Sequence, residues 1–277
     1  MEGSRLLKDR ATEGLSHMHS VGAIAVVVIK ELYRRKDFYV LFVLTALITL
    51  LMASMSFFND RQVVRYLKEI CLLLIWISSL VIAMVTSARQ IPAERESRTI
   101  FPLLAKPVTR GQVLLGKFFG CWAATGLALV VFYLFFGVIA LSRETEWMLA
   151  GYFQAWWLHW WMLGVVIAMV LWGSLVFAAP SSNVTILLVI VVGILLLGRH
   201  LGKVAARLSE PMQTIVYVVY YGMPHLEFFD VRDLLTHQWG AIPWWACGLA
   251  TVYALIYTAL FLTGAWWSFQ RTNLGER

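Results

Sequence analysis

Charge is scarce in this chain of 277 residues: Asp, Glu, Lys and Arg make up 14%, against roughly a quarter in an ordinary soluble domain. That shortage argues against a water-exposed globular protein. Cysteine is nearly absent, and Cys71, Cys121 and Cys247 form no C-x-x-C or finger-like spacing, which argues against a disulfide framework or a structural zinc site. Enzyme signatures are missing too: there is no nucleophile elbow and no H-E-x-x-H. No Asp or Glu interrupts a long apolar run and no internal repeat is evident, so an ion-coupled carrier fits poorly. Residues 1–20 are polar and lack the apolar core of a cleavable leader, while Val21 to Ile29 is too short to span a bilayer.

What the chain has is apolar length. Hydrophobic residues make up 60% of it, with 13 Trp and a mean hydropathy of +0.72. Crossing a hydrocarbon core of about 30 Å at about 1.5 Å per helical residue takes about 20 residues. Six runs are candidates: Phe38 to Phe58, Ile70 to Ala88, Phe118 to Leu141, Tyr152 to Ala179, Val184 to Gly198 and Trp244 to Phe269. The fifth is apolar for only 15 residues and must borrow Ser181 to Asn183 or sit in a thinned region. Backbone groups find no water partner in lipid, and the runs do not alternate as barrel strands do. The expected fold is an all-α integral membrane protein of six transmembrane helices in a single domain, 1–277. Residues 1–37 form a tail and elbow, 38–269 the spans, and 270–277 a second tail. Within the elbow, Val21, Ile24, Val28 and Leu32 share one helical face while Lys30, Arg34 and Arg35 point elsewhere, the pattern of a helix lying in the interface.

With an even number of spans both termini share a side. Of the 23 basic residues, fifteen then lie in the N-terminal region, the loop from Arg89 to Lys117 and the C-terminal tail. The other side holds eight, balanced by eight acidic residues, so the basic face is expected to be cytoplasmic. Such a face attracts anionic lipid, and the net charge of +7 gives no reason to invoke nucleic acid.

The most informative stretch is the loop after the second run, IPAERESRTIFPLLAKPVTRGQVLLGKFFG, from Ile91 to Gly120. Pro92 suits the first position of a helix, Glu94 and Glu96 favour its positive end, and Ile100, Leu103 and Leu104 give it an apolar side. Pro107 ends it, and Thr109 is placed to cap the next helix. The pattern of Glu94, Thr99, Leu103, Leu104, Pro107, Arg110, Leu115, Gly116 and Lys117 resembles the permease subunits of ATP-binding cassette transporters of the type-two export superfamily. Its nearest likeness is to the branch associated with multicopper-enzyme maturation, which PHLEFFDVRD, Pro224 to Asp233, also resembles. The resemblance implies a half-transporter in the bacterial cytoplasmic membrane, with cytoplasmic termini, paired with a second permease copy or homologue. It also implies a separate ATPase that holds ATP and magnesium, with no cofactor in this chain. The loop would be a coupling helix, with Glu94, Arg95, Glu96, Arg98 and Thr99 engaging the ATPase.

Several other features compete for attention. Gly111 to Lys117 matches G-x-x-x-x-G-K, but Phe118 stands where Ser or Thr would ligate magnesium, and the segment opens a span. Gly116 and Gly120 instead suit close helix packing, with Lys117 reaching to the headgroups. His159, amid Trp156, Trp157, Trp160 and Trp161, reads as an interfacial histidine in an aromatic belt. A membrane enzyme acting on lipid would use His159 or the Asp230 group as its chemistry. His225, Glu227, Asp230, Asp233 and His237 supply oxygen and nitrogen groups that a metal could use, though solvated loop residues are the plainer reading. Copper, another ion, a sulfur compound, a lipid or a peptide would each fit as substrate.

Overall fold

The computed structural model describes residues 20–34, 61–96, 108–141, 149–177, 179–237 and 240–271, together with residues 39, 43, 46, 47 and 50. The first predicted span, Phe38 to Phe58, lies almost wholly outside the described residues. What is described is helical, with no strand among the described residues. In order, the elements are α1 (residues 20–33), α2 (Arg61–Ala88), α3 (Pro92–Glu96) and α4 (Arg110–Leu141). There follow α5 (Leu149–Val176), α6 (Pro180–Ala205), α7 (Met212–Gly222), a 3-10 turn (Leu226–Phe229), α8 (Arg232–His237) and α9 (Trp244–Arg271). Among the described residues, five stretches are long and apolar enough to cross a membrane: Lys68–Glu96, Arg110–Val138, Leu149–Val176, Pro180–Gly198 and Trp244–Arg271.

The fifth predicted span gains its length at its start. Pro180 occupies the first turn of α6 and recruits Ser181 to Asn183 into the helix. Asn183 is fully buried there and donates from Nδ2 to the Val170 carbonyl at 3.0 Å, which ties α6 to α5. The third predicted span also starts earlier, at Arg110, behind a capping box. The Thr109 amide donates to Gln112 Oε1 at 2.7 Å, and the Gln112 amide donates back to Thr109 Oγ1 at 3.3 Å.

The bundle is organised around α5. Its membrane stretch is 72% buried, against 17% for α9, and every residue from 162 to 171 is buried. A helix apolar on all sides belongs in the middle of such a bundle, and α5 touches α2, α4, α6 and α9. Lipid tails are as apolar as the side chains, so shape fit rather than water exclusion must hold these helices together. The fit comes from indoles seated over glycines. Trp122 of α4 and Trp160 of α5 stack at 4.3 Å, and each Nε1 donates to the other's carbonyl, at 3.0 and 3.1 Å. Each ring also lies against the glycine four residues beyond its partner, Trp160 over Gly126 and Trp122 over Gly164. Two W-x-x-x-G motifs on antiparallel helices thus interlock. Trp172 repeats the device against Gly264 of α9 and donates to Ser268 Oγ at 3.0 Å.

The predicted glycine face of α4 is used by α1. A Cβ on Gly116 would come within 2.7 Å of Ile24, and one on Gly120 within 2.6 Å of Val28. Val28 and Leu32 are buried on the expected face of α1 while Val26 and Val27 are exposed.

Helix ends fall on two faces. Arg110, at the start of α4, donates from Nη1 to the Phe269 and Gln270 carbonyls at the end of α9, at 2.5 and 3.1 Å, so these two ends share a level. A cation near the last turn of a helix complements the negative end of its dipole. The end of α2 and the start of α6 line one cleft, which places them together as well. We refer to the side carrying α3, Arg110, Pro180 and Arg271 as the basic face.

The interlock makes a paired prediction. Gly126→Ala puts a methyl into the Trp160 ring and should cost about 1–3 kcal/mol. Gly137→Ala meets nothing within 4 Å. Thermal unfolding monitored by size-exclusion chromatography in detergent should therefore show a lowered midpoint for G126A and none for G137A.

Candidate functional site

The inter-span loop is anchored from within. After α2 the chain turns at Gln90, and Pro92 opens the short helix α3, whose first bonds run from Ala93 N to the Arg89 carbonyl and from Arg95 N to the Ile91 carbonyl. Glu94 faces α4. Its Oε1 lies 2.8 Å from Lys117 Nζ, and the same ammonium donates to the Gln90 carbonyl at 2.7 Å. Lys117 is only 1% exposed and Glu94 29%. The snorkelling expected of Lys117 is corrected: its charge turns inward because a carboxylate and a free carbonyl wait there, close enough to replace headgroup water. The G-x-x-x-x-G-K segment is helical throughout, with Gly116 against α1 and Lys117 engaged, so its backbone does not wrap as a phosphate loop does.

Of the residues assigned to coupling, Glu94 is thus turned to α4, Arg95 is half-buried and Glu96 is exposed. Arg98 and Thr99 lie outside the described residues. Beside Glu96 a cleft of about 690 Å³ opens between α2, α3 and α6, lined by Val85, Arg89, Ala93, Glu96, Ser181 and Val184 among others. Arg89, like Glu96, is exposed.

The opposite half of the bundle holds a second polar group. His159 is buried, with Nε2 at 2.9 Å from Ser79 Oγ and Nδ1 at 3.4 Å from the Tyr133 hydroxyl. It is therefore a bundle histidine rather than an interfacial one, because hydroxyls on α2 and α4 offer it partners that headgroups would otherwise supply. Trp76 stacks on the imidazole at 5.9 Å, and the Arg232 guanidinium sits over Trp76 at 5.2 Å. Arg232 pairs with Asp230 through two bonds of 2.8 Å. Burial works against the Arg232 charge, but the Asp230 carboxylate more than offsets it and holds the guanidinium pKa above its ordinary value.

The five residues with metal-ligand chemistry are dispersed into separate contacts. His225 Nδ1 is 3.0 Å from Glu227 Oε1, Asp230 is taken by Arg232, and the His237 ring bonds the Asp233 backbone carbonyl at 3.1 Å. Among the described residues, no three His, Cys, Asp or Glu side chains stand together as a metal group. The PHLEFFDVRD segment does have a structural role: Leu226, Phe229, Val231 and Leu235 are buried, so it caps the bundle on this side. Gln154, missed by sequence reasoning, fixes the next turn of chain through two bonds to Ile242, from Nε2 to the carbonyl at 2.7 Å and from the amide to Oε1 at 2.8 Å.

A bundle of apolar helices long enough to cross a membrane, with a charged loop helix pinned to one of them, defines a multi-pass membrane protein. The model of the ABC-2 family transporter protein family matches residues 23–274, and the chain belongs to that family. It is accordingly a transmembrane ABC transporter permease, a transport subunit of a family that works with an ABC ATPase at the membrane. The curated proteins contain no match to it.

The Asp230 pair is open to direct test. Asp230→Asn leaves Arg232 without its bidentate partner and should cost about 1–3 kcal/mol, read as a lowered thermal midpoint. Exposed Asp233→Asn should change the stability by less than about 0.5 kcal/mol and leave the midpoint nearly unmoved.

Proposed function

We propose that this permease carries its substrate across the cytoplasmic membrane of a bacterium on ATP hydrolysed by a separate subunit, and that the loop after α2 is where the two subunits meet. The observation that carries the reading is α3 itself: a charged helix pinned to α4 by Glu94 and turning Glu96 outward on the basic face. A membrane domain with no nucleotide site of its own must receive force through such an element. In this reading Glu94 holds the lever in place, while Arg95, Glu96, Arg98 and Thr99 form or shape its contact with the ATPase.

The positive-inside rule supports a cytoplasmic basic face, with the termini on that side. One bundle is small for enclosing a path, which supports pairing with a second permease. ATP and magnesium belong to the ATPase partner. The loop motif and PHLEFFDVRD support the branch linked to multicopper-enzyme maturation, without naming the cargo.

Affinity purification of the tagged chain in mild detergent from its native host tests this directly. An ATPase with a true phosphate loop should accompany it; reproducible recovery without one sinks the reading. Glu96→Lys should reduce the recovered ATPase several-fold with membrane insertion intact. Undiminished recovery would remove Glu96 from the contact.

A further inference from the structure

The ion pair beneath α4 has no justification in stability alone. Exchanging a buried pair for apolar side chains of similar volume is often neutral or stabilising. What such a pair does offer is resistance to separation, since parting its members strands a charge away from water. An apolar contact between helices can slide at little cost, whereas an ammonium held at 2.7 and 2.8 Å by two acceptors cannot.

Both acceptors lie on the segment that follows α2. Gln90 is at its turn and Glu94 is on α3, so Lys117 grips the connector and the loop helix together. From Lys117, α4 runs without interruption for about 24 Å to Tyr133, at about 1.5 Å per residue. There the Tyr133 hydroxyl meets His159 Nδ1 at 3.4 Å, within the polar group of the opposite half. The same helix carries α1 in its glycine notch at Gly116 and Gly120. One rod therefore joins the charged loop helix on the basic face to the buried histidine group in the opposite half of the bundle.

We propose that Lys117 and Glu94 form a positioning strut that makes α3 and α4 move as one body, so that a push on α3 displaces the far end of α4. Lys117 contacts neither the ATPase nor the substrate in this scheme; it converts a docking event into helix movement. The proposal rests on the ATPase-driven reading given above.

The test uses the permease purified with its ATPase subunit and spin labels at V138C and W245C, at the far ends of α4 and α9. Both positions are exposed, at 68% and 70%, while the native cysteines are buried. Pulsed electron resonance distances, with and without ATP and vanadate, read the movement. The unsubstituted pair should show a nucleotide-dependent shift. Lys117→Met should abolish it while the ATPase still copurifies, and Lys117→Arg, which keeps charge and donors, should retain it. If K117M does not elute as a monodisperse complex, Glu94→Gln replaces it: it keeps the shape and an acceptor but removes the charge, and it too should lose the shift. A full shift in K117M or E94Q overturns the strut, and so does loss of the shift in a well-folded K117R. Absence of any shift in the parent complex overturns it as well. Failure of the ATPase to copurify with the parent permease overturns the ATPase-driven reading itself, which keeps the two failures distinguishable.

Discussion

Inside a bilayer a polar atom that leaves its protein partner finds no water to replace it, and this constraint orders the whole structure. Four polar side chains among the spans tie one element to another. Lys117 holds α3 to α4, Asn183 holds α6 to α5, and Gln154 holds the chain before α9 to α5. His159 draws α2 and α4 to α5 through Ser79 and Tyr133. Each is a fastening whose strength comes from the cost of undoing it, and together they fix register in a bundle that hydrophobic exclusion cannot fix.

Close packing supplies the rest. Indole rings are large, flat and rigid, and over a helix they fit only where a neighbour lacks a side chain. The Trp122, Trp160 and Trp172 contacts use this, with glycine as the receiving surface and the indole N–H given a carbonyl or hydroxyl partner each time. The abundance of Trp thus has an internal purpose that an interfacial belt alone would not require. Other indoles do face outward: Trp244, Trp245, Trp266 and Trp267 lie exposed near the two ends of α9, at the depths where amphipathic rings favour the headgroup region.

Apolar length was legible from the chain because hydropathy acts residue by residue, and the described spans lie where runs of low charge had put them. The Thr109 cap and the glycine face of α4 were legible for a similar reason: both are local patterns with local causes. Lys117 and His159 were misread because their partners are remote in sequence. Nothing at position 117 announces Glu94 across a loop, and nothing at 159 announces Ser79 eighty residues earlier. A charge at the end of an apolar run defaults to the headgroups only if no acceptor folds over it. The W-x-x-x-G repeats were visible in principle, since small-xxx-small logic extends to one large residue meeting one absent side chain, but their pairing needed the antiparallel geometry of α4 and α5.

The same distinction explains the fate of the acidic and histidine residues near the far face. Asp230, Asp233 and His237 stand at i, i+3 and i+7, a spacing that shares one face of a continuous helix, yet α8 begins only at Arg232. Asp230 therefore lies ahead of the helix, where its carboxylate reaches Arg232 rather than joining its neighbours. A carboxylate engaged by a guanidinium through two bonds has little capacity left for a cation, whereas an Arg held this way can lie flat over Trp76. The Asp230 carboxylate instead orients one arginine, and through Trp76 and His159 it completes a stack in the half of the bundle opposite α3.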